Sequence, residues 1–123
     1  MSKRFKTVDY HNRMGERNHE AGLLYTQLGG GEAIAIPVLN YSPAEDRGCD
    51  EPPIPACCEI REDIARLLAE ELAERLAATP EYPAKGWHPV FLPSSVKVVY
   101  PNGEKSKWFG ETEPKAFIAA FGK

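Results

Sequence analysis

Residues 56–78 read ACCEIREDIARLLAEELAERLAA and carry the strongest secondary-structure signal in the chain. Aliphatic residues recur there at intervals of three and four, and Glu and Arg occupy many of the other positions, which is typical of an amphipathic helix. Pro55 suits a first helical position, and Thr79-Pro80 is expected to end the helix. Because only one stripe is apolar, we expect the helix to lie against a sheet. The stripe consists of Ile60, Ile64, Leu67, Leu68, Leu72 and Leu76.

The segment before this helix predicts a β-hairpin. Residues 23–28 and 33–41 are largely apolar and flank Gly29-Gly30-Gly31, which favours a turn. Both faces of the second strand are apolar, which indicates burial on both sides. Pro37 has no N–H to donate to a ladder and therefore favours an edge or bulged position. A further strand over about residues 4–10 stays an open question because its alternation is poor.

The segment after the helix predicts a second hairpin. Residues 96–101 and 104–109 flank Asn102-Gly103, a pair that is typical of a two-residue turn. Such a turn would place Lys97 opposite Trp108 and Val99 opposite Ser106. Residues 113–121 then begin with Glu-Pro and carry Phe and Ile at helical spacing, which predicts a short C-terminal helix.

Together these elements predict an α+β fold in one domain that spans residues 1–123. We expect an antiparallel sheet of two hairpins, with about four or five strands. The long helix, over about residues 56–78, and the short helix, over about residues 113–121, would pack against this sheet. A chain of this length can bury a core without a disulfide or a metal.

Charge is strongly segregated along the chain. Residues 1–20 carry a net charge of +2, residues 21–84 carry −8 and residues 85–123 carry +3, which together give the overall −3. Patches of one sign steer encounters with partners of the opposite sign. The acidic middle therefore predicts a partner with a basic surface, although charged outer faces of helices also serve solubility alone.

The acidic loop and helix face form the first candidate site. The loop, residues 42–56, is rich in proline and acidic residues and includes one aliphatic side chain that a partner could cover. We predict a small non-enzymatic protein-binding domain, an inhibitor or adaptor, that needs no cofactor, no metal and no catalytic residue. By analogy only, phage-encoded inhibitors of host defence and immunity-type proteins have this character. The predicted partner-binding residues are Glu45, Asp46, Asp50, Glu51, Ile54, Glu62, Glu70 and Glu74.

The first alternative is a nucleic-acid-binding accessory protein. Lysines can contact phosphates, and an exposed aromatic ring can stack on a base. The competing explanation is an ordinary solvated sheet face with a Lys97–Trp108 contact. The residues of this second candidate site are Lys97, Lys105, Lys107 and Trp108, with Lys3, Arg4 and Lys6 in an N-terminal arm.

The second alternative is a small cysteine-dependent enzyme. Cys57 and Cys58 would lie in the first turn of the long helix, where a thiol pKa can fall, with His88 as the available base. Nearby acidic residues oppose that shift. The spacing of Cys49, Cys57 and Cys58 does not match a structural zinc site. Whether Trp87, His88 and Phe91 are buried or exposed stays open.

Composition sets the remaining expectations. The longest apolar run, residues 33–39, is far shorter than the roughly 20 residues of a membrane-spanning helix. The basic N-terminus is not followed by an apolar stretch, and three cysteines without an export signal favour a reducing cytoplasm. We therefore expect a cytoplasmic protein that does not contact membranes, and a homodimer remains open.

Overall fold

The computed structural model describes residues 4–8, 19–20, 22–26, 33–43, 45, 48, 50–52, 54, 56–78 and 90–122. These residues form two sheets and two helices, which confirms the predicted α+β class. In chain order the elements are β1 (Lys6–Val8), β2 (His19–Glu20), β3 (Leu23–Thr26), β4 (Ala33–Pro37), β5 (Asn40–Ser42), β6 (Cys57–Arg61), α1 (Glu62–Ala78), β7 (Ser95–Val99), β8 (Lys105–Phe109) and α2 (Pro114–Phe121).

The first sheet contains the predicted N-terminal hairpin. Its strand order is β1-β4-β3-β2, and every pairing is antiparallel. Residues 33–36 of β4 are all buried, as expected for a strand with two apolar faces. Pro37 is exposed at the end of β4, beyond the positions that pair with β1, so its missing N–H costs no ladder bond there. The predicted glycine turn lies outside the described residues.

The second sheet corrects the expected single antiparallel sheet. Its order is β5-β6-β7-β8, and β6 pairs with β7 in parallel, whereas the other two pairings are antiparallel. A parallel pair needs a crossover connection, and α1 lies within that connection. The strands therefore divide between two sheets, one of them mixed.

The long helix begins six residues later than predicted, at Glu62. Residues 57–61 form β6, in which Cys58 and Ile60 are buried while their neighbours are half-buried or exposed. This alternation has the period of a strand with one face on the core. Ile60 also fits the helical stripe because it lies four residues before Ile64, so the sequence alone satisfied both patterns.

Both helices pack on the inner face of the second sheet. The buried side of α1 includes Leu68 and Leu72, which are fully buried. Phe117 and Phe121 of α2 meet Phe109 of β8, with ring centroids 5.3 and 5.9 Å apart respectively. The same hydrophobic cluster contains residues from both sheets, so the two sheets share one core.

The C-terminal hairpin has the predicted pairing at its open end, where Lys97 lies opposite Trp108. Nearer the turn the register shifts, and Val99 lies opposite Lys105 instead of Ser106. The loop spans Pro101 to Gly103, because Gly103 N–H donates to Tyr100 O at 3.0 Å and Gly103 has a φ of +86°. This three-residue loop, with a left-handed last residue, replaces the expected two-residue turn.

Candidate functional site

Two described residues of the acidic loop, Glu45 and Ile54, extend the second sheet. Glu45 and Ile54 form an isolated antiparallel bridge, with both backbone hydrogen bonds at 2.9 Å. This bridge continues the register in which Ser42 pairs with Cys57. We call residues 43–56 the acidic arm, in which the Glu45–Ile54 pair prolongs the β5–β6 ladder.

The acidic arm presents its charge to solvent. Glu45, Asp50 and Glu51 are exposed, and Ile54 is exposed over 37% of its surface. Of the predicted partner-binding residues on the arm, Asp46 lies outside the described residues. An aliphatic side chain with carboxylates around it can supply both an apolar contact and electrostatic steering to a basic partner.

The predicted carboxylates on α1 are engaged within the molecule. Glu62 Oε2 accepts a hydrogen bond from Arg66 at 2.8 Å. Glu70 and Glu74 both contact Arg4, at 3.4 and 3.0 Å respectively. A basic partner that docks on α1 would have to compete with these guanidinium groups.

Arg4 anchors the N-terminal segment on this face of α1. Its Nη1 also donates to Glu71 at 3.3 Å, and Glu71 accepts a second bond from Arg75 Nε at 2.6 Å. Hydrogen bonding to Glu74 raises the pKa of the Arg4 guanidinium, although burial acts in the opposite direction. Arg4, which was predicted to belong to a basic N-terminal arm, thus neutralises part of the acidic helix.

The structure does not bring the residues of the second candidate site onto one face of the second sheet. Lys97 and Trp108 lie on the face that points away from the helices, whereas Lys107 lies beside the buried Phe109 on the other side. Lys97 places its Nζ 5.6 Å from the ring centroid of Trp108, whose surface is 46% exposed. Lys107 Nζ lies 5.3 Å from the ring of Phe109. Lys105 pairs with Val99 through the backbone, and β8 is the last strand of the sheet. Lys6 is exposed on β1 of the other sheet, and Lys3 lies outside the described residues.

The two adjacent cysteines do not lie at a helix N-terminus, which corrects the sequence-based placement. Both belong to β6, Cys57 half-buried and Cys58 buried. Burial raises the pKa of the Cys58 thiol to about 12, with smaller contributions from Cys57 and Glu59. Cys58 is therefore a core side chain whose nucleophilic thiolate is scarce at neutral pH. Cys49 and His88 lie outside the described residues.

One surface feature was not anticipated from the sequence. A groove of about 600 Å³ lies where β6 and β7 end and α1 begins. Its walls include Leu39, which is 54% exposed, and Tyr100. At its rim Arg61 forms a two-bond ion pair with Asp63, one bond being 3.1 Å, and this pair lowers the pKa of Asp63. A helix over residues 56–78 predicts no such groove, since the groove lies where the strand over residues 57–61 ends and α1 begins.

Comparison with known proteins identifies no relative: no family model, no curated protein and no solved structure matches the chain. Within the described ranges, no three His, Cys, Asp or Glu side chains converge as metal ligands would. Neither helix in that part of the chain is long and apolar enough to cross a membrane.

Proposed function

We propose that this protein is a small binding module, an inhibitor or adaptor, which attaches to a basic surface of another protein through the acidic arm. The observation that carries the proposal is the Glu45–Ile54 bridge, which places an exposed aliphatic side chain directly opposite an exposed carboxylate. The backbone pairing restricts Glu45 and Ile54 before binding, so less conformational entropy is lost at these two residues on association.

The helix carboxylates have a secondary place in this proposal. Glu62, Glu70 and Glu74 already face Arg66 or Arg4. They add to the negative field that a basic partner meets at long range, whereas direct contact is assigned to the arm. Predicted contacts of the helix residues with a partner would require the displacement of Arg4 or Arg66.

The burial of Cys58 counts against this residue as the nucleophile of a cysteine-dependent enzyme, since a cysteine nucleophile requires an accessible thiolate. A fully buried thiol with a pKa of about 12 is poorly suited to that chemistry. Cys57 is half-buried on β6 and does not lie at a helix N-terminus, the position that would make it a candidate nucleophile.

The experiment is an affinity pull-down from the lysate of the cells that make this protein, with nuclease treatment, followed by titration of the captured partner. Asp50→Asn with Glu51→Gln should weaken binding about 2- to 30-fold, because each exposed ion pair contributes roughly 0.2–1 kcal/mol. The slope of affinity against salt should flatten as well.

The matched control neutralises two acidic residues elsewhere. Glu104 and Glu111 are both exposed and lie outside the arm, so Glu104→Gln with Glu111→Gln changes the net charge by the same amount. This control should keep most of the wild-type affinity. Equal losses of affinity in the two double variants would show that the effect depends on net charge alone and that the acidic arm is not part of the interface.

A further inference from the structure

We infer that two copies of this chain associate about a two-fold axis through the surface around Leu39, where the two sheets meet the beginning of α1. Leu39 has the groove of about 600 Å³ on one side and a second hollow of about 260 Å³ on the other. We call Leu39 with these two hollows the Leu39 ridge. None of its residues belongs to the acidic arm.

The exposure of Leu39 is the first observation. Leu39 is the most exposed large hydrophobic residue in the described part of the chain, with 54% of its surface accessible. Its backbone is held where the chain passes from one sheet to the other, because Val38 N–H donates to Gly22 O at 2.9 Å and Leu39 N–H donates to Glu59 O at 2.7 Å. An aliphatic side chain on a fixed backbone requires little ordering on association, so burial of its apolar surface contributes to affinity.

The two hollows are the second observation, since they can receive Leu39 of another copy. Leu39 and Arg61 line both hollows, so the ridge stands between them. Apolar side chains also line both, with Val99 and Tyr100 in the larger hollow and Ile64 in the smaller. A contact about a two-fold axis uses the same patch twice, so that patch must be complementary to itself. An aliphatic projection beside partly apolar hollows has this property.

The charges at the larger hollow are the third observation. Glu62 pairs with Arg66 at 2.8 Å, and Arg61 pairs with Asp63. The two signs therefore balance, and a strongly basic or acidic partner meets little net charge here. Across a two-fold axis each guanidinium can face a carboxylate of the other copy, whereas a patch of one sign would repel itself. The occupant that fits this surface is a second copy of the chain.

The size of the Leu39 ridge predicts a weak dimer. The residues that line the two hollows are about half as many as the roughly 20–30 that each partner contributes to a standard interface. Contacts of this size are typical of transient complexes, and we expect a dissociation constant of about 10–1000 μM. The dimer should therefore dissociate on dilution below this range.

The experiment is sedimentation velocity of the full chain at concentrations that bracket this range. Leu39→Asp places a charge in the apolar contact twice per dimer, so the dissociation constant should rise at least about 10-fold. Ile54→Asp is the matched control, because Ile54 is an exposed aliphatic residue outside this surface, and it should leave the dissociation constant nearly unchanged. Since both side chains are partly exposed, circular dichroism should show an unchanged fold in both variants.

A second pair of variants tests the balance of charge. Arg66→Glu makes the larger hollow acidic in both copies, so the dissociation constant should rise about 2- to 30-fold at low salt and less at high salt. Lys115→Glu makes the same change in net charge on the exposed side of α2 and should have little effect. The inference would be overturned by a chain that stays monomeric at millimolar concentration or by association that continues beyond a dimer. Equal weakening within either pair, Leu39→Asp with Ile54→Asp or Arg66→Glu with Lys115→Glu, would overturn it as well.

Discussion

Glu71 illustrates at the residue scale how a charge is accommodated inside this fold. Its side chain is only 4% exposed, yet it receives hydrogen bonds from both Arg4 and Arg75. A buried carboxylate without such donors would be strongly destabilising. Arg75 lies one helical turn from Glu71, whereas Arg4 lies 67 residues earlier in the chain, so the contact also fixes the N-terminal segment on α1.

We expect Arg4→Ala to lower the free energy of unfolding by about 1–3 kcal/mol, because Glu71 loses one of its two charged donors. The more exposed contact with Glu74 should contribute little to this loss. Chemical denaturation measures the change, and Lys6→Ala, an exposed residue on an edge strand, should stay within about 0.5 kcal/mol of the wild type. Equal stability of the two variants would contradict the Arg4 contact.

The pKa of Asp63 reports on the ion pair that this residue forms with Arg61 at the rim of the groove. Arg61 holds this pKa below its ordinary value, chiefly by side-chain hydrogen bonding. A depressed carboxyl pKa contributes stability above the unfolded-state pKa, and this contribution is lost as pH falls through the folded-state pKa. In a carbon-detected NMR titration, Arg61→Gln should raise the pKa of Asp63 toward its ordinary value. Arg66→Gln, which removes the partner of Glu62, should leave the pKa of Asp63 unchanged. An unchanged pKa of Asp63 in Arg61→Gln would contradict the ion pair between Arg61 and Asp63.

Cys58 provides the test of the sequence-based enzyme hypothesis. In the variant with Cys49→Ser and Cys57→Ser, Cys58 is the only thiol. Because burial raises its pKa to about 12, we expect very slow reaction with a disulfide reagent at pH 8 and rapid reaction only after unfolding. Rapid reaction of the native protein would show an accessible thiolate and would reopen the question of a cysteine nucleophile.

At the scale of elements, the hairpins and the C-terminal helix could be predicted because each carries a local signal. Residues 57–61 could not be assigned to a strand from the sequence, since Ile60 fits both a helical and a strand period. The choice depends on pairing with β7, which lies more than 30 residues further along the chain. The acidic arm was likewise predicted as a loop, because its Glu45–Ile54 bridge extends a β5–β6 ladder that local sequence does not specify.

The turn of the C-terminal hairpin offers a prediction at this scale. Gly103 has a φ of +86° and no atom within 4 Å of the place where a Cβ would lie. Gly103→Ala should therefore cost about 1–2 kcal/mol through backbone strain alone. Gly103→Asn should cost less because Asn adopts this region more readily. Thermal denaturation compares the two, and equal losses would argue against a left-handed residue in the loop.

At the scale of the whole molecule, the charge segregation in the sequence survives only in part as segregated surfaces. The described acidic residues of the acidic arm are exposed, whereas on the second sheet Lys97 lies opposite Glu59 in the ladder. The acidic face of α1 is partly neutralised by Arg4, although the two are 66 to 70 residues apart in the chain. Net charge by segment predicts a long-range field, but it cannot predict which opposite charges the fold brings together.

The most direct test of the proposed function is site-specific photocrosslinking in lysate of the producing cells. A photoreactive phenylalanine analogue replaces Ile54 on the acidic arm or, as the control, Lys115 on the exposed side of α2. We expect one stoichiometric protein adduct from position 54, unaffected by nuclease and reduced by Asp50→Asn with Glu51→Gln, and none of that adduct from position 115. Equal crosslinking from both positions, or an adduct that disappears with nuclease, would contradict a protein interface on the acidic arm.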